Sequence, residues 1–204
     1  AIEVSRDGRV HVRADRIARS RTEAAARELL GRLEIVETLE PALVRLEARP
    51  PRPVLLEDGA TEVRHVVEVS EAVAVRIRNT NGRITLAHLA GRVVADTTNG
   101  VVSGLELRGP VEASTINGNI DMDLAAVAAE GVTLATTNGG IRLALPSDAR
   151  AHISASVTNG GIDSGRLAVE ALEVSRRRLE GRLNGGGPMI HLGITNGSIR
   201  LSVR

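Results

Sequence analysis

The stretch "ADTTNGVV" at residues 95–102 contains a Thr-Asn-Gly triplet that the chain repeats. The triplet returns at 80–82, 137–139, 158–160 and 195–197, with an Ile-Asn-Gly variant at 116–118. Successive asparagines are 18, 18, 21, 21 and 37 residues apart. The first four steps are near-fixed and predict an array of like structural units, and the 37-residue step is about two such units long, so one irregular lap is expected there. The predicted turn residues are Asn81, Gly82, Asn99, Gly100, Asn117, Gly118, Asn138, Gly139, Asn159, Gly160, Asn196 and Gly197.

Apolar β-branched residues stand at fixed offsets on both sides of each asparagine. Six residues before it stand Val75, Val93, Val111, Val132, Ile153 and Ile190. Three residues after it stand Ile84, Val102, Ile120, Ile141, Ile162 and Ile199. A second, mostly apolar position follows each of them after two residues, and period two is typical of strands. Each repeat therefore predicts two short strands, joined by Asn-Gly because both residue types tolerate positive φ.

Two arrangements of these strands are open. Asn-Gly between alternating strands favours a hairpin, and hence an antiparallel meander. The second turn of each early repeat, however, has a lone glycine, which is Gly91, Gly109 or Gly131. Two kinds of turn in every repeat favour a coil in which like turns lie above like turns. We therefore predict an all-β fold, a parallel β-helix or β-solenoid of about six laps, with asparagine amides hydrogen-bonded in a ladder.

The first 70 residues lack the repeat and predict a different structure. "GRVHVRA" (8–14), "LEIVE" (33–37), "ALVRLEA" (42–48) and "TEVRHVVEV" (61–69) indicate strands, and "RPPRP" (49–53) indicates a stiff loop. "SRTEAAARELLGRL" (20–33) predicts a helix with a capping box at Ser20 and Glu23 and a stop at Gly31.

An open end of a solenoid exposes strand edges, so a cap is expected there. We predict one domain, 1–204, in which residues 1–70 cap the repeat region 71–204. The helix over 20–32 is expected to cover the first laps with Leu29 and Leu30 inward. The alternative is a helix that lies along the side of the coil.

The composition excludes several classes of function. The chain has no Phe, Tyr, Trp, Lys, Gln or Cys, and its 26 basic residues are all arginine. A GC-rich genome explains arginine without lysine, and a deliberately simplified alphabet is the alternative. Without cysteine there is no thiolate catalysis or disulfide, and without Phe, Tyr or Trp the five histidines are the only rings on which bases could stack. A net charge of +1 gives no strong field for nucleic acid or for an anionic membrane.

The polar residues offer only weak catalytic or binding candidates. His11, His65, His88, His152 and His191 lack metal-ligand spacing. Asp121, Asp123 and Asp163 are the candidates for calcium or for a glycosidase carboxylate pair. "NGGGP" (184–188) is either a phosphate cradle or a tight crossover between laps. The run Arg176–Arg178 faces either solvent or an acidic partner, and "NGS" (196–198) matches a glycosylation sequon within the repeated turn. No cofactor, metal or catalytic residue is predicted.

The phrases "TTNGVV", "VEASTINGNI", "TTNGGIRLALP" and "LEGRLNGGGPMIHLGITNGSIRL" resemble the bacterial putative-adhesin family of repeated β-strand domains, a domain of unknown function. The resemblance implies a right-handed β-helix in an extracytoplasmic or envelope-associated protein, and it transfers no catalytic residues. The sequence departs from it in "VRHVVEV", where His65 stands in place of an aromatic residue of many relatives.

We predict a non-enzymatic structural or interaction module of the bacterial cell envelope, whose partner is an unknown protein or envelope component. Neither nucleic acid binding nor a membrane span is expected, and no signal peptide is visible at Ala1. The alternatives are a polysaccharide-acting enzyme on a β-helix scaffold and an accessory of envelope-stress signalling. A cluster of Asp, Arg and His on neighbouring laps would favour the enzyme.

Overall fold

A computed structural model describes residues 1–5, 7–40, 43–49, 59–165, 167 and 169–204. This part of the chain holds sixteen strands and one helix, which makes the protein all-β as predicted. It divides into two compact units, 1–11 with 68–204, and 12–67.

The unit 12–67 contains the helix. Its elements are β2 (His11–Ser20), α1 (Glu23–Arg32), β3 (Glu34–Glu40), β4 (Leu43–Arg49) and β5 (Gly59–Val69), of which β2 and β5 are neighbours and β3 and β4 form an antiparallel pair. Residues 50–53 of the predicted "RPPRP" loop lie outside the described residues.

The helix begins two residues later than the capping box predicts. Thr22 is the N-cap, because its side chain accepts a hydrogen bond from the Ala25 amide at 3.3 Å, and Ser20 ends β2. Glu23 then occupies the first turn, where a carboxylate favours the helix dipole. The helix continues past Gly31 to Arg32, so glycine does not stop it. Leu29 is buried in this unit, and its Cδ1 lies 2.3 Å from the position of a Cβ built at Gly59.

The unit 1–11 with 68–204 contains the repeats. Its strands are β1 (Ile2–Val4), β6 (Val75–Asn81), β7 (Ile84–Ala87), β8 (Val93–Asn99), β9 (Val102–Leu107), β10 (Val111–Asn117), β11 (Ile120–Leu124), β12 (Val132–Leu145), β13 (Ala151–Asp163), β14 (Val169–Val174), β15 (Arg178–Leu183) and β16 (Met189–Val203). In the first three repeats the Asn-Gly corner separates two strands. In the other three, β12, β13 and β16 each continue through the corner without a break.

The strands of different repeats pair in parallel and in register. The first column runs β6-β8-β10-β12-β16-β13, with Val75 beside Val93, Val93 beside Val111 and so on. The second column runs β7-β9-β11-β12-β16-β13, and β1 pairs with β7 at its outer side. The two strands of one early repeat pair with neighbouring repeats, so the antiparallel meander does not apply to the repeats.

The two β-branched columns of the sequence form the core of this unit. All members of both columns are buried except Ile162, which is half-buried in the outermost repeat strand, β13. Full burial of one such side chain stabilises the fold by roughly 1.5–3 kcal/mol. Small branched side chains therefore supply this core without any aromatic residue.

The spatial order of the last two repeats differs from their order in the sequence. The final strand, β16, lies between β12 and β13, so Ile190 is the neighbour of Val132 and Ile153 is the outer neighbour of Ile190. The 37-residue step that predicted an irregular lap instead holds the hairpin β14–β15. Strand β15 runs antiparallel to β13, and β14 runs antiparallel to β15.

Candidate functional site

The six repeated asparagines lie side by side and bond to one another through their side chains. Five hydrogen bonds of 2.8–3.0 Å join them, in each of which one Nδ2 donates to the Oδ1 of the neighbouring asparagine on the Asn81 side. The spatial order is Asn81, Asn99, Asn117, Asn138, Asn196 and Asn159. These side chains are exposed. The four inner asparagines each bond to an asparagine on both sides, whereas the two at the ends bond to one. We call this row the asparagine ladder.

The asparagines do not use the positive φ that the sequence suggested for them. They belong to strands, and in five of the six corners, all but that of Gly118, the positive φ falls on the following glycine, for example +114° at Gly82. Asparagine is therefore required for its side-chain amide, which donates one bond and accepts another.

The glycines are required by close packing between neighbouring corners. A Cβ at Gly100 would lie 1.8 Å from the carbonyl oxygen of Gly82, and one at Gly118 would lie 1.7 Å from that of Gly100. Contacts this short involve backbone, which cannot move without breaking the pairing of the strands. The lone-glycine turns follow the same rule, because a Cβ at Gly109 would lie 2.2 Å from the Gly91 oxygen.

A buried threonine supports the corner, and it belongs to neither of the two β-branched columns seen in the sequence. Thr115 and Thr136 stand two residues before their asparagines and are buried. Their hydroxyls donate to the carbonyl oxygens of Gly100 and Gly118, at 3.3 and 3.1 Å. The doubled threonine of "TTNG" is the sequence signal for this role, since the first threonine faces inward and the second outward.

The outward threonine forms a second row beside the asparagine ladder. This threonine row contains Thr80, Thr98, Thr137, Thr195 and Thr158, with Ile116 in place of threonine in the third repeat. An open depression lies on the same outer side of the first column and is lined by Thr133, Ala135, Ser154, Ser156, His191 and Gly193, among others. The surface is thus rich in hydroxyl groups and small side chains.

The acidic candidates are held by arginines and do not come together. Asp121 lies 3.0 Å from Arg142, and Asp163 lies 3.6 Å from Arg200 on the neighbouring strand. Asp123 lies 3.0 Å from Arg204. Among the described residues no group of three or more His, Asp or Glu side chains has the geometry to hold a metal ion.

The histidines are scattered as well. His11 lies 2.9 Å from Asp7, and His88 lies 3.3 Å from Glu106, whereas His191 stands exposed beside the depression. His152 packs against Gly186, where a Cβ would lie 2.7 Å from its Nε2. The "NGGGP" segment is therefore the packed turn between β15 and β16, in which Asn184 donates to the Ala149 carbonyl oxygen at 2.9 Å.

The shifted pKa values lie away from the ladder. Hydrogen bonds from the Ser5 hydroxyl, the Arg9 amide and the His11 ring lower the pKa of Asp7 to about 2. A hydrogen bond from the Arg204 guanidinium lowers the pKa of Glu106. Burial lowers the pKa of His65. The shifts at Asp7 and Glu106 thus come from hydrogen bonds to neighbouring side chains and backbone, and the shift at His65 comes from burial.

The structure defines a class of protein, the β-repeat domain with aligned corners. Its marks are parallel strands in register, a ladder of corner amides and an aliphatic core. The family model described as Toastrack DUF4097 matches residues 60–202, and the chain belongs to this family. The resemblance to a domain family of unknown function with adhesin-like β-repeats is thereby confirmed.

A solved structure has a similar fold. It is described as that of "a putative cell adhesion protein" from Clostridium sporogenes, and it aligns with a TM-score of 0.53 and 12% sequence identity. The alignment covers 100% of this chain and 86% of that chain, and at this identity it shows the fold alone. No curated protein matches the chain by sequence. In the described part of the chain, no helix has both the length and the hydropathy to cross a bilayer.

Proposed function

We propose that the chain is a non-enzymatic interaction module of the bacterial cell envelope, with an adhesin-like role outside the cytoplasm. The observation that carries this proposal is the repetition of uncharged hydrogen-bonding groups, strand after strand, in the threonine row and the asparagine ladder. Such a surface suits many weak polar contacts with an extended partner, as in other repeat proteins. The C. sporogenes protein is described as a putative cell adhesion protein, and its similar fold supports the proposal by analogy.

The same proposal includes the handedness with which the chain coils from one repeat to the next. The two parallel columns require crossover connections, and crossovers between parallel strands are right-handed in nearly all proteins. A right-handed coil accounts for the five corners from Asn81 to Asn159 in sequence order. The chain then returns through the hairpin β14–β15, and β16 adds the sixth Asn-Gly lap between β12 and β13. A crystal structure that showed a left-handed crossover would contradict the winding without affecting the ladder.

The polysaccharide-acting enzyme is the weaker alternative. The candidate carboxylates lie in ion pairs with arginines, as Asp121 does with Arg142, and these pairs neutralise the acids that a glycosidase would need. One histidine joins such a group, since His88 lies 3.3 Å from Glu106, which shares Arg204 with Asp123. Release of products from acidic polysaccharides by the purified chain would overturn the non-enzymatic role.

The decisive test identifies what the protein contacts on its own cells. Protease shaving of intact cells should release fragments of the chain, and crosslinking should recover an envelope component. Thr195→Arg and Ser202→Arg make a matched pair, because both positions are exposed on β16 but only Thr195 belongs to the threonine row. We expect Thr195→Arg to reduce crosslinking and Ser202→Arg to leave it unchanged. Equal crosslinking of both variants, or fragments only from lysed cells, would count against the proposal.

A further inference from the structure

The hairpin β14–β15 exposes the most accessible large apolar side chains of the described chain. Leu172 is 71% exposed and Val174 is 67% exposed, whereas the next is Ile116 at 50%. Strand β14 is the last strand of the sheet, and in the described residues no further strand pairs with it. The two most exposed large apolar side chains of the described residues therefore both lie on this edge strand.

Two arginines next to these apolar side chains make no ion pair with a described carboxylate. Arg178 is neutralised, since it lies 3.3 Å from Glu173 and 2.6 Å from Glu180. Arg176 and Arg177 are exposed, and in the described residues no acidic group within 4.0 Å accompanies either. The hairpin turn thus combines two exposed aliphatic residues with two uncompensated positive charges. We call Leu172, Val174, Arg176 and Arg177 the hairpin tip.

The backbone of the tip is held in place. The amides of Val157 and Ile162 on β13 donate to the carbonyl oxygens of Arg177 and Arg176, at 2.9 and 3.0 Å. The Ser175 hydroxyl accepts a hydrogen bond from the Arg178 amide at 3.0 Å. The main chain is therefore fixed to the sheet, and both arginine residues are exposed, with the Arg176 side chain passing close to Gly161.

From this arrangement we infer that the hairpin tip binds the surface of an anionic lipid bilayer. Aliphatic side chains flanked by arginines are the chemistry of interfacial anchors, because the apolar groups enter the acyl boundary and the cations pair with lipid phosphates. The net charge of +1 for the whole chain does not oppose this, since screening confines the relevant field to about 8 Å around the tip.

A second copy of the chain fits the tip less well than a bilayer. A stable protein interface buries about 1,200–2,000 Å² in total, and two aliphatic side chains supply little of that area. The inference goes beyond the proposed function and does not depend on it, because lipid contact at the hairpin does not require the threonine row.

Vesicle flotation tests the inference directly. The whole chain should bind vesicles of 70% phosphatidylcholine and 30% phosphatidylglycerol, and should not bind pure phosphatidylcholine. Arg176→Gln with Arg177→Gln should weaken binding by roughly fivefold for each arginine, or about 25-fold together. Leu172→Thr with Val174→Thr should weaken it by about tenfold. Circular dichroism should show all variants folded, because every changed side chain is exposed.

Two matched controls separate the tip from general surface effects. Arg76→Gln with Arg78→Gln removes two exposed charges from β6, and Leu105→Thr with Ile116→Thr removes two exposed aliphatic groups. Both controls should bind within twofold of the wild type. Equal losses in tip and control variants, or no binding by the wild type, would overturn the inference.

The absence of cysteine allows a direct measure of insertion. A polarity-sensitive dye on Val174→Cys should shift its emission to the blue with anionic vesicles, and the same dye on Thr137→Cys should not. Binding without any shift at position 174 would show surface adsorption and would overturn the apolar part of the contact. Self-association that Leu172→Thr abolishes, in the absence of vesicle binding, would assign the tip to a second copy instead.

Discussion

The Asn-Gly corners and the hairpin β14–β15 belong to the same sheet, but they depend on their neighbours in different ways. At the corners Asn99 lies beside Asn117, and Val93 likewise lies beside Val111, both in a parallel pair. In the hairpin the strands are antiparallel, and Val169 lies opposite Leu183. A change at a corner is therefore felt by two identical neighbours, whereas a change on β14 meets one strand and solvent. Sensitivity to mutation should follow this difference.

The largest contrast is expected for a charge placed in each region. Val93→Asp puts a carboxylate at a position that is 1% exposed, and a buried unpaired charge costs several kcal/mol, comparable with a total stability of about 5–15 kcal/mol. We expect no folded protein. Val174→Asp lies at 67% exposure and should change stability by less than about 0.5 kcal/mol. Thermal melts followed by far-ultraviolet circular dichroism compare the two, and a cooperative melt of Val93→Asp would break the contrast.

A glycine pair sharpens the contrast within the repeats themselves. Gly100→Val should destabilise by roughly 3 kcal/mol, because its Cβ would lie 1.8 Å from the Gly82 carbonyl oxygen. Gly193→Val is the matched control, since nothing lies within 4 Å of a Cβ built there, and it should be neutral. Urea unfolding measures both. Equal destabilisation would mean that strand glycines matter for a reason other than the contact between corners.

The asparagine ladder offers a smaller and graded test. Asn117 donates to Asn99 and accepts from Asn138, whereas Asn81 at the end of the ladder accepts from Asn99. Asn117→Ala should therefore cost about 1 kcal/mol and Asn81→Ala about half of that, because net hydrogen bonds of this kind are weak. Urea midpoints resolve the difference. A larger loss at Asn81 would show that bonding along the ladder is not what the asparagines contribute.

The smallest expected effect is a pH dependence of stability, which a charged group such as Asp7 contributes and the uncharged ladder does not. The folded pKa of Asp7, about 2, is below its unfolded value of 3.8, so its carboxylate stabilises the fold above pH 3.8. This contribution is lost as the pH falls towards 2, whereas the uncharged ladder does not titrate. Ser5→Ala should raise the pKa of Asp7 towards its ordinary value, which carboxyl carbon chemical shifts report in a pH titration. An unchanged titration would assign the low pKa to the other donors.

The columns of the fold could be read from the sequence because each depends on residues at fixed offsets from an asparagine. The β-branched positions, the joining turn and the register follow from that spacing. The role of the glycines did not follow, since it depends on a carbonyl oxygen of a different repeat, 1.8 Å from a Cβ at Gly100. The N-cap was misplaced by two residues because both Ser20 and Thr22 are good caps, and only tertiary context selects Thr22.

The hairpin and the order of the last repeats were missed for different reasons. "VEALEV" and "RLEGRL" alternate on both sides of the arginine run, so the hairpin had a local signal. The order of β13 and β16 had none, because Ile153 and Ile190 are equally suited to lie beside Val132. The sequence identified the asparagines and glycines of the candidate site by their repetition. It did not identify the supporting Thr115 and Thr136, because they stand two residues before the asparagine, outside the two β-branched columns.

The position of β16 between β12 and β13 has a consequence for synthesis on the ribosome. Translation releases β13 before β16. Strand β13 could therefore pair with β12 at first, although β16 is the neighbour of β12 in the final structure. The native order then requires β13 to wait in an undocked state, or to dock early and later be displaced by the arriving strand. Folding of this domain is thus completed only after the polypeptide through Val203 has left the exit tunnel, whatever the stability of its earlier repeats.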